Sequence, residues 1–249
     1  MSIFAVEMAY GRLYLIPSPL GDNDPAEVVP RQVLERIKTI SRYVVEETRT
    51  ARRYLSAAGL KGHIGDLEFR ELNEHTTPGE VESLLELFSG PCGEPCDVGL
   101  ISEAGLPAVA DPGANLVALC HERGIQVVPL VGPSSLMLAL MGSGLNGQSF
   151  AFRGYLPAKT DERRKAIKEI ETQSARLDQT GIFIETPYRN DSLVADLLSS
   201  LHPSTRLCVA ADLTLPEETI LTRTVREWRS SPPSIGKRPC VFLLLAHKR

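Results

Sequence analysis

Four apolar runs in this 249-residue chain stop abruptly in loops of small, turn-forming residues: Pro17-Ser18-Pro19, residues 103–107, Gly132-Pro133-Ser134, and Pro187. Short side chains let a ligand approach the main chain, whose N–H and C=O groups can hold a polar group without a charged side chain. One such loop reads as a tight turn. Four at the ends of apolar runs read as a site, because ligands of open parallel sheets bind outside the carboxyl ends of the strands. The fullest example spans residues 98–135. Val98–Ile101 breaks into Ser102-Glu103-Ala104-Gly105-Leu106-Pro107, a capped helix follows from Asp111, and an apolar run at 125–131 ends in Gly132-Pro133-Ser134-Ser135. No G-x-G-x-x-G follows the first run and no G-x-x-x-x-G-K-[ST] occurs. Pyrophosphate binding is therefore disfavoured, and a ligand without phosphates, held largely by backbone, fits better.

The remaining groups with chemical potential are cations and thiols. Arg49, Arg52 and Arg53 fall on neighbouring turns of a helix read from Thr50. Together with Lys159, Arg163, Arg164 and Lys168 they are the positive groups that could meet phosphates. Glu162 and Glu169 interleave with the second set, so that run also reads as the solvated face of a helix. Five cysteines occur, at 92, 96, 120, 208 and 240. An odd number without a secretory start suggests a reducing cytosol. Cys92 and Cys96 stand close in GPCGEPC, but no histidine or second cysteine pair completes a zinc set, so no metal is expected.

Composition is that of an ordinary globular protein, with 43% hydrophobic and 23% charged residues and a net charge of −4. Such a balance gives no global pull toward nucleic acid or membrane, and any polyanion site must be a local basic patch. The first residues, MSIFAVEMAYGRLYLIP, lack the charged start and cleavage site of a signal peptide. No apolar run approaches the roughly 18 residues that span a bilayer. These features predict a cytoplasmic protein without a membrane partner.

The elements that must position the loops follow from periodicity. Residues 13–16 form a first apolar strand, a helix runs from Pro30, and Tyr43-Val44-Val45 forms a second strand that gives way to Glu46-Glu47-Thr48-Arg49. Residues 67–72 alternate apolar and charged as a half-exposed strand. Thr77-Pro78-Gly79-Glu80 is a capping box with proline at the first helical position. With the strand at 98 and the run at 125–131, strand and helix alternate about five times, the pattern of a parallel sheet with helices on both faces. Beyond it come a helix at 136–141, a strand at 150–155, the basic helix and a strand at 181–186. An amphipathic helix over 193–201 and strands at 207–211, 219–225 and 240–246 follow. Strands there outnumber the helices between them, which predicts a mixed sheet. The expected architecture is α/β with two domains, residues 1–130 with the parallel sheet and 131–249 with the mixed one.

The segments LYLIPSPLGD, LISEAGLPAVADPG, VVPLVGPSS followed by SGL, FRGYLP and ETPYR occur in that order. Together they resemble the tetrapyrrole-methylase superfamily of S-adenosylmethionine-dependent methyltransferases, and within it the ribosomal RNA small subunit methyltransferase I family. The resemblance runs from residue 13 to residue 246. It implies a two-domain homodimeric enzyme with its cofactor folded in the cleft between the domains, touching mainly backbone. It also implies methylation of a cytidine ribose 2′-hydroxyl in the decoding region of small-subunit ribosomal RNA. Carried onto this chain, S-adenosylmethionine would meet Leu20, Gly105, Leu106, Val109, Ser134, Ser135, the backbone near Glu185, and Cys240. The family pattern has asparagine where Asp22 stands, ISDAGTP at 101–107 and ISDPG at 109–113. It also has HEHNE where this chain has Glu71-Leu72-Asn73-Glu74-His75, and lysine-glycine-glutamate where Gly236-Lys237-Arg238-Pro239 is found. Leucine in place of threonine at 106 removes a hydroxyl from the expected pocket.

Methyl transfer from a sulfonium is an in-line displacement by an already activated donor, so alignment supplies much of the barrier reduction. A ribose hydroxyl also profits from a general base. Glu47 is the first candidate, with Arg49 beside it, and Glu74 and His75 are others. Arg52, Arg53, Glu74 and His75 are the expected substrate contacts. The alternatives are a methyltransferase acting on a tetrapyrrole or other small molecule, and a diverged protein that binds S-adenosylmethionine without transferring its methyl.

Overall fold

The computed structural model describes residues 10–247, which form two compact units, the first ending at Pro133 and the second starting at Ser134. In the first unit the chain runs β1 (Leu13–Leu15), α1 (Pro25–Val28), α2 (Arg31–Ile37), β2 (Arg42–Val45) and α3 (Thr48–Leu55). It continues through β3 (Glu68–Glu71), α4 (Pro78–Ser83), β4 (Val98–Ile101), α5 (Gly113–Glu122) and β5 (Val127–Pro129). The five strands form one sheet in the order β3-β2-β4-β1-β5, and every pairing is parallel.

Alternation along the strands builds two cores. Tyr14, Ile16, Tyr43, Val45 and Ile101 point to the face covered by Val33 and Ile37 of α2 and by Ala51, Tyr54 and Leu55 of α3. Leu13, Val44, Val98 and Leu100 point to the other, covered by Val81 and by Leu116 and Cys120 of α5. Strands buried on both faces read as continuous apolar runs, as Tyr43-Val44-Val45 and Val98–Ile101 do here. The expected capping box is present: Thr77 Oγ1 accepts from Glu80 N while the Glu80 carboxylate accepts from Thr77 N at 2.7 Å.

Two boundaries differ from expectation. The apolar run at 125–131 contributes only three residues of strand: Ile125 N closes α5 by donating to Cys120 O, and the last ladder bond runs from Leu130 N to Leu15 O at 3.0 Å. Helix α3 starts at Thr48 rather than Thr50, and it runs into a wide π-helical turn, Ser56–Leu60, that encloses Gly59 at φ +106°.

The second unit contains α6 (Ser135–Ser143), β6 (Phe150–Tyr155), α7 (Thr160–Leu177), β7 (Thr180–Ile184) and α8 (Asn190–Ser200). It ends with β8 (Arg206–Ala211), β9 (Thr219–Thr224), α9 (Val225–Ser230) and β10 (Cys240–Leu245). Its sheet has the order β6-β7-β10-β8-β9; β6 and β7 are parallel and the other pairs antiparallel, so the sheet is mixed. Phe183, Phe242, Val209 and Leu244 meet Ile167, Ile170, Leu193, Leu197 and Trp228 in one core. Helix α9 was not anticipated, although Thr224-x-x-Glu227 forms a second capping box.

The basic helix requires a correction. Arg163 is no solvent-facing cation: it is 4% exposed, and its Nε donates to Asp196 Oδ2 at 2.7 Å. Arg164 donates to the other oxygen of Asp196 at 2.7 Å. A buried carboxylate needs partners to offset its lost hydration, and α8 takes both arginines for that purpose. Among the described residues no helix is long and apolar enough to cross a membrane.

Candidate functional site

Because β1 lies between β4 and β5, the loops that follow these three strands are neighbours at the carboxyl edge of the parallel sheet. They are stitched together. Ser18 and Gly105 form a two-bond bridge, Ser18 N donating to Gly105 O at 2.9 Å and Gly105 N to Ser18 O at 3.1 Å. Ser18 Oγ donates to Ser102 O at 3.3 Å, and Tyr54 OH donates to Pro17 O at 2.7 Å. A Cβ at Gly132 would lie 2.1 Å from Pro17 Cβ, so only glycine lets the third loop approach the first. Gly105 has φ +75°, and a Cβ there would stand 3.1 Å from Leu20 Cδ2 and 3.5 Å from Pro133 O. Leu20 and Gly105 are thus brought together as expected of a common pocket. Leu106 and Val109 belong to the same loop, and Val109 is 46% exposed.

That loop carries strain and unsatisfied groups. Ala108 and Ala110 have φ of 63° and 61°, a conformation that costs residues with a Cβ about 1–2 kcal/mol each. Such outliers persist where surroundings over-determine them, often at sites. Asp111 Oδ1 accepts from Gly113 N at 2.7 Å, which starts α5. Asp111 Oδ2 and Ser102 Oγ are buried without a hydrogen-bond partner. Burial raises the Asp111 carboxyl above its usual range, against the pull of the Gly113, Ala108 and Val109 N–H groups and the Ser102 hydroxyl. The Ser102 hydroxyl and the Ala108 and Val109 N–H groups stand near this carboxylate without closing a hydrogen bond to Oδ2, so a ligand donor would complete its set.

Beside this loop, at the end of β2, stands Glu46. Its N–H continues the ladder to Ile101 O, and its Oε2 accepts from Glu103 N at 3.2 Å. Burial is the main cause raising its pKa, with Asp111, Glu103 and Glu74 adding negative charge nearby and the Glu103 N–H opposing. A carboxylate lifted from its ordinary value is a better proton acceptor near neutral pH.

Glu47, the expected base, has another task. It is the N-cap of α3, with Oε1 accepting from Arg49 N at 2.8 Å and Oε2 from Thr50 N at 2.6 Å and Thr50 Oγ1 at 2.7 Å. Those bonds, the Thr50 hydroxyl first, hold its pKa below the usual range, which makes it a weaker base than Glu46. Arg49, Arg52 and Arg53 are exposed on α3. Arg52 lies over the Phe69 ring at 5.2 Å, and Arg53 approaches Asp22 at 3.9 Å. Glu74 and His75 are exposed and lie 3.6 Å from each other.

The other expected cofactor contacts fall in the second unit. Ser134 is the N-cap of α6, its Oγ accepting from Met137 N at 3.4 Å, and Ser135 is the first helical residue. Val241 pairs with Ile184, so Glu185 and Cys240 share one end of the mixed sheet. Glu185 is 6% exposed, and its Oε1 accepts from Thr186 N at 2.7 Å and from Arg189 Nε at 2.9 Å, while Oε2 is buried and unpartnered. Asn190 Nδ2 donates to Gly236 O at 3.1 Å and Arg238 O at 2.8 Å, and its Oδ1 has no partner. Burial pushes the Cys240 thiol up to about 12, so it stays protonated and is no nucleophile.

Sequence reasoning passed over Glu46, Ser102 and Asp111. For Glu46 a signal existed: it is the first polar residue after the apolar run of β2, the position at which a parallel strand delivers its side chain to a site.

Comparison with known proteins identifies the family and the fold. The family model of the tetrapyrrole (corrin/porphyrin) methylases matches residues 12–228. A ribosomal RNA small subunit methyltransferase I from Escherichia coli O157:H7 is 32% identical over 247 residues, 98% of this chain and 81% of that protein. Its namesake from Neisseria meningitidis serogroup B is 32% identical over 228 residues, covering 92% and 72%. Among solved structures, a diphthine synthase superposes with a TM-score of 0.67 at 15% identity, covering 95% of this chain and 90% of that one. A uroporphyrin-III C-methyl transferase from Thermus thermophilus, complexed with S-adenyl homocysteine, gives 0.57 at 18% identity, covering 94% and 97%. At these identities the structures establish the fold. The sequence matches establish more: the chain belongs to the tetrapyrrole methylases, a family of methyltransferases, and within it to the ribosomal RNA small subunit methyltransferase I group.

Proposed function

We propose that this protein transfers a methyl group from S-adenosylmethionine to a ribose 2′-hydroxyl of small-subunit ribosomal RNA. The observation that carries the reading is the 32% identity, over 98% of the chain, to a ribosomal RNA small subunit methyltransferase I; the ribose 2′-hydroxyl as target comes from the family resemblance. The strand-end loops of the first unit fit the cofactor: Gly105 presents no side chain beside Leu20, and the buried Asp111 Oδ2, which closes no hydrogen bond, can accept from a hydroxyl or amino donor. When bound, S-adenosylmethionine supplies a methyl group already activated on a sulfonium.

The chain's own part is to bind, align and deprotonate. The loops joined by the Ser18–Gly105 bridge shape the pocket, and the carboxylate of Asp111 holds a polar group of the ligand. Glu46, rather than Glu47, accepts the proton of the attacking hydroxyl. Exposed Arg49, Arg52 and Arg53 meet the phosphates of the acceptor strand, which positions the hydroxyl and contributes salt-dependent affinity. We also propose a homodimer. Helix α6, SLMLALMGS, carries no charge, packs Leu136, Ala139 and Leu140 inward, and leaves Met137 and Met141 39% and 79% exposed. A helix apolar on all sides is normally covered.

Calorimetric titration of S-adenosylmethionine tests the cofactor half, with Asp111→Ala expected to weaken binding at least tenfold. Wild-type affinity in that variant would remove Asp111 from the site. Labelled methyl entering a tetrapyrrole but not ribosomal RNA would replace the acceptor.

A further inference from the structure

The end of the mixed sheet carries exposed aromatic rings that methyl transfer to RNA does not by itself explain. Directly after β7, the Glu185 carboxylate accepts from Thr186 N and from the Arg189 guanidinium. That buried clamp fixes the 3₁₀ turn Pro187–Arg189 and holds Tyr188 in solvent at 81% exposure. Lys237 Nζ sits 4.9 Å from the centre of the Tyr188 ring, covering one face with a positive charge. On the neighbouring strand, Gly154 at φ +65° marks a bulge between Phe152 and Tyr155. Bulges re-aim side chains, and Tyr155, paired with Ile184 at the end of β7, is 54% exposed. Two rings and a lysine thus share one sheet end. One ring is presented by a rigid turn and the other by a bulge.

We infer that Tyr188, with Lys237 and Tyr155, is a stacking platform for unpaired nucleobases of the RNA acceptor. Aromatic rings beside cations are how proteins hold single strands without reading sequence: the ring takes the base face and the cation the adjacent phosphate. A 2′-hydroxyl must be drawn out of a structured RNA to be methylated, and bases stacked on this platform would keep the strand open. The inference rests on the RNA reading above.

The test is fluorescence anisotropy with a short labelled single-stranded RNA and a duplex control, on the full chain. Tyr188→Ala is expected to weaken single-strand binding by about 5- to 150-fold, the range found for loss of one base–aromatic stack. Tyr188→Phe and Tyr188→Trp should restore it. Lys237→Ala should lower the slope of log affinity against log salt by about 0.7. S-adenosylmethionine titration should be unchanged in all variants. Wild-type RNA affinity in Tyr188→Ala, with ribosomal RNA still methylated, overturns the platform and leaves the function standing. A loss that neither Phe nor Trp restores, or that Tyr188→Ala causes through a partner protein instead of RNA, also overturns it. A wild-type protein that neither binds nor methylates RNA overturns platform and RNA reading together.

Discussion

Gly105→Ala separates the pocket from the fold. Gly105 has φ +75°, and the added Cβ would lie 3.1 Å from Leu20 Cδ2 and 3.5 Å from Pro133 O. Left-handed backbone costs an alanine about 1–2 kcal/mol, and stiffening the unfolded chain returns about 0.4–1 kcal/mol. The net backbone effect is about 1 kcal/mol of destabilisation. Crowding against Leu20 adds about 1 kcal/mol, at the low end for overpacking because the Leu20 end can move. At 2–4 °C per kcal/mol for a chain of this size, Tm should fall by about 4–8 °C. The control is Gly62→Ala, at φ +91° with nothing within 4 Å, which should show the backbone effect alone, about 2–4 °C. Calorimetric titration then decides. Gly105→Ala should lose S-adenosylmethionine affinity by tenfold or more, since its methyl and the displaced Leu20 would fill space among the loops proposed to hold the ligand. Gly62→Ala should bind normally. If Gly105→Ala is destabilised by that amount yet binds as wild type does, these loops do not form the cofactor pocket.

Burial raises Glu46, so the folded state holds its proton more tightly than the unfolded chain, and stability falls as pH rises from the ordinary glutamate value through the raised one. Glu46→Gln should therefore flatten the chemical-denaturation stability profile across that window and abolish the acidic limb of the methyl-transfer rate. A variant with an unaltered pH–rate profile would exclude Glu46 as the proton acceptor. Ala110→Gly, at φ 61°, should stabilise the protein by about 0.5–1 kcal/mol, read as a higher denaturation midpoint; a lower midpoint would refute the strain. Met137→Glu with Met141→Glu should convert a dimer to monomer in light scattering without changing the circular dichroism, and a monomeric wild type would refute the α6 interface.

Much of the fold was legible because it depends on local pattern. The apolar runs that became β2, β4, β7 and β10, the Thr77 capping box and the proline-terminated loops carry their physical reason within a few residues. What was not legible depends on distant partners. Arg163 reads like any cation of a basic helix until Asp196, 33 positions away, takes its Nε. Glu46 and Glu47 are adjacent carboxylates with opposite fates: the first ends a buried strand and is raised, while the second caps α3 and is lowered. No local pattern announces that Ala108 and Ala110 lie at positive φ, since alanine is an ordinary helix former. The cofactor loops were visible as a class from turn chemistry, but their closure required Gly132 to meet Pro17 and Ser18 to meet Gly105.

The most direct measurement is transfer of tritiated methyl from S-adenosylmethionine to small ribosomal subunits that lack 2′-O-methylation, followed by nuclease digestion and chromatography of the nucleosides. The account predicts label in a 2′-O-methylated nucleoside of the small-subunit RNA, lost in Glu46→Gln and Asp111→Ala. Label on a base, in a tetrapyrrole, or nowhere despite bound cofactor would contradict it.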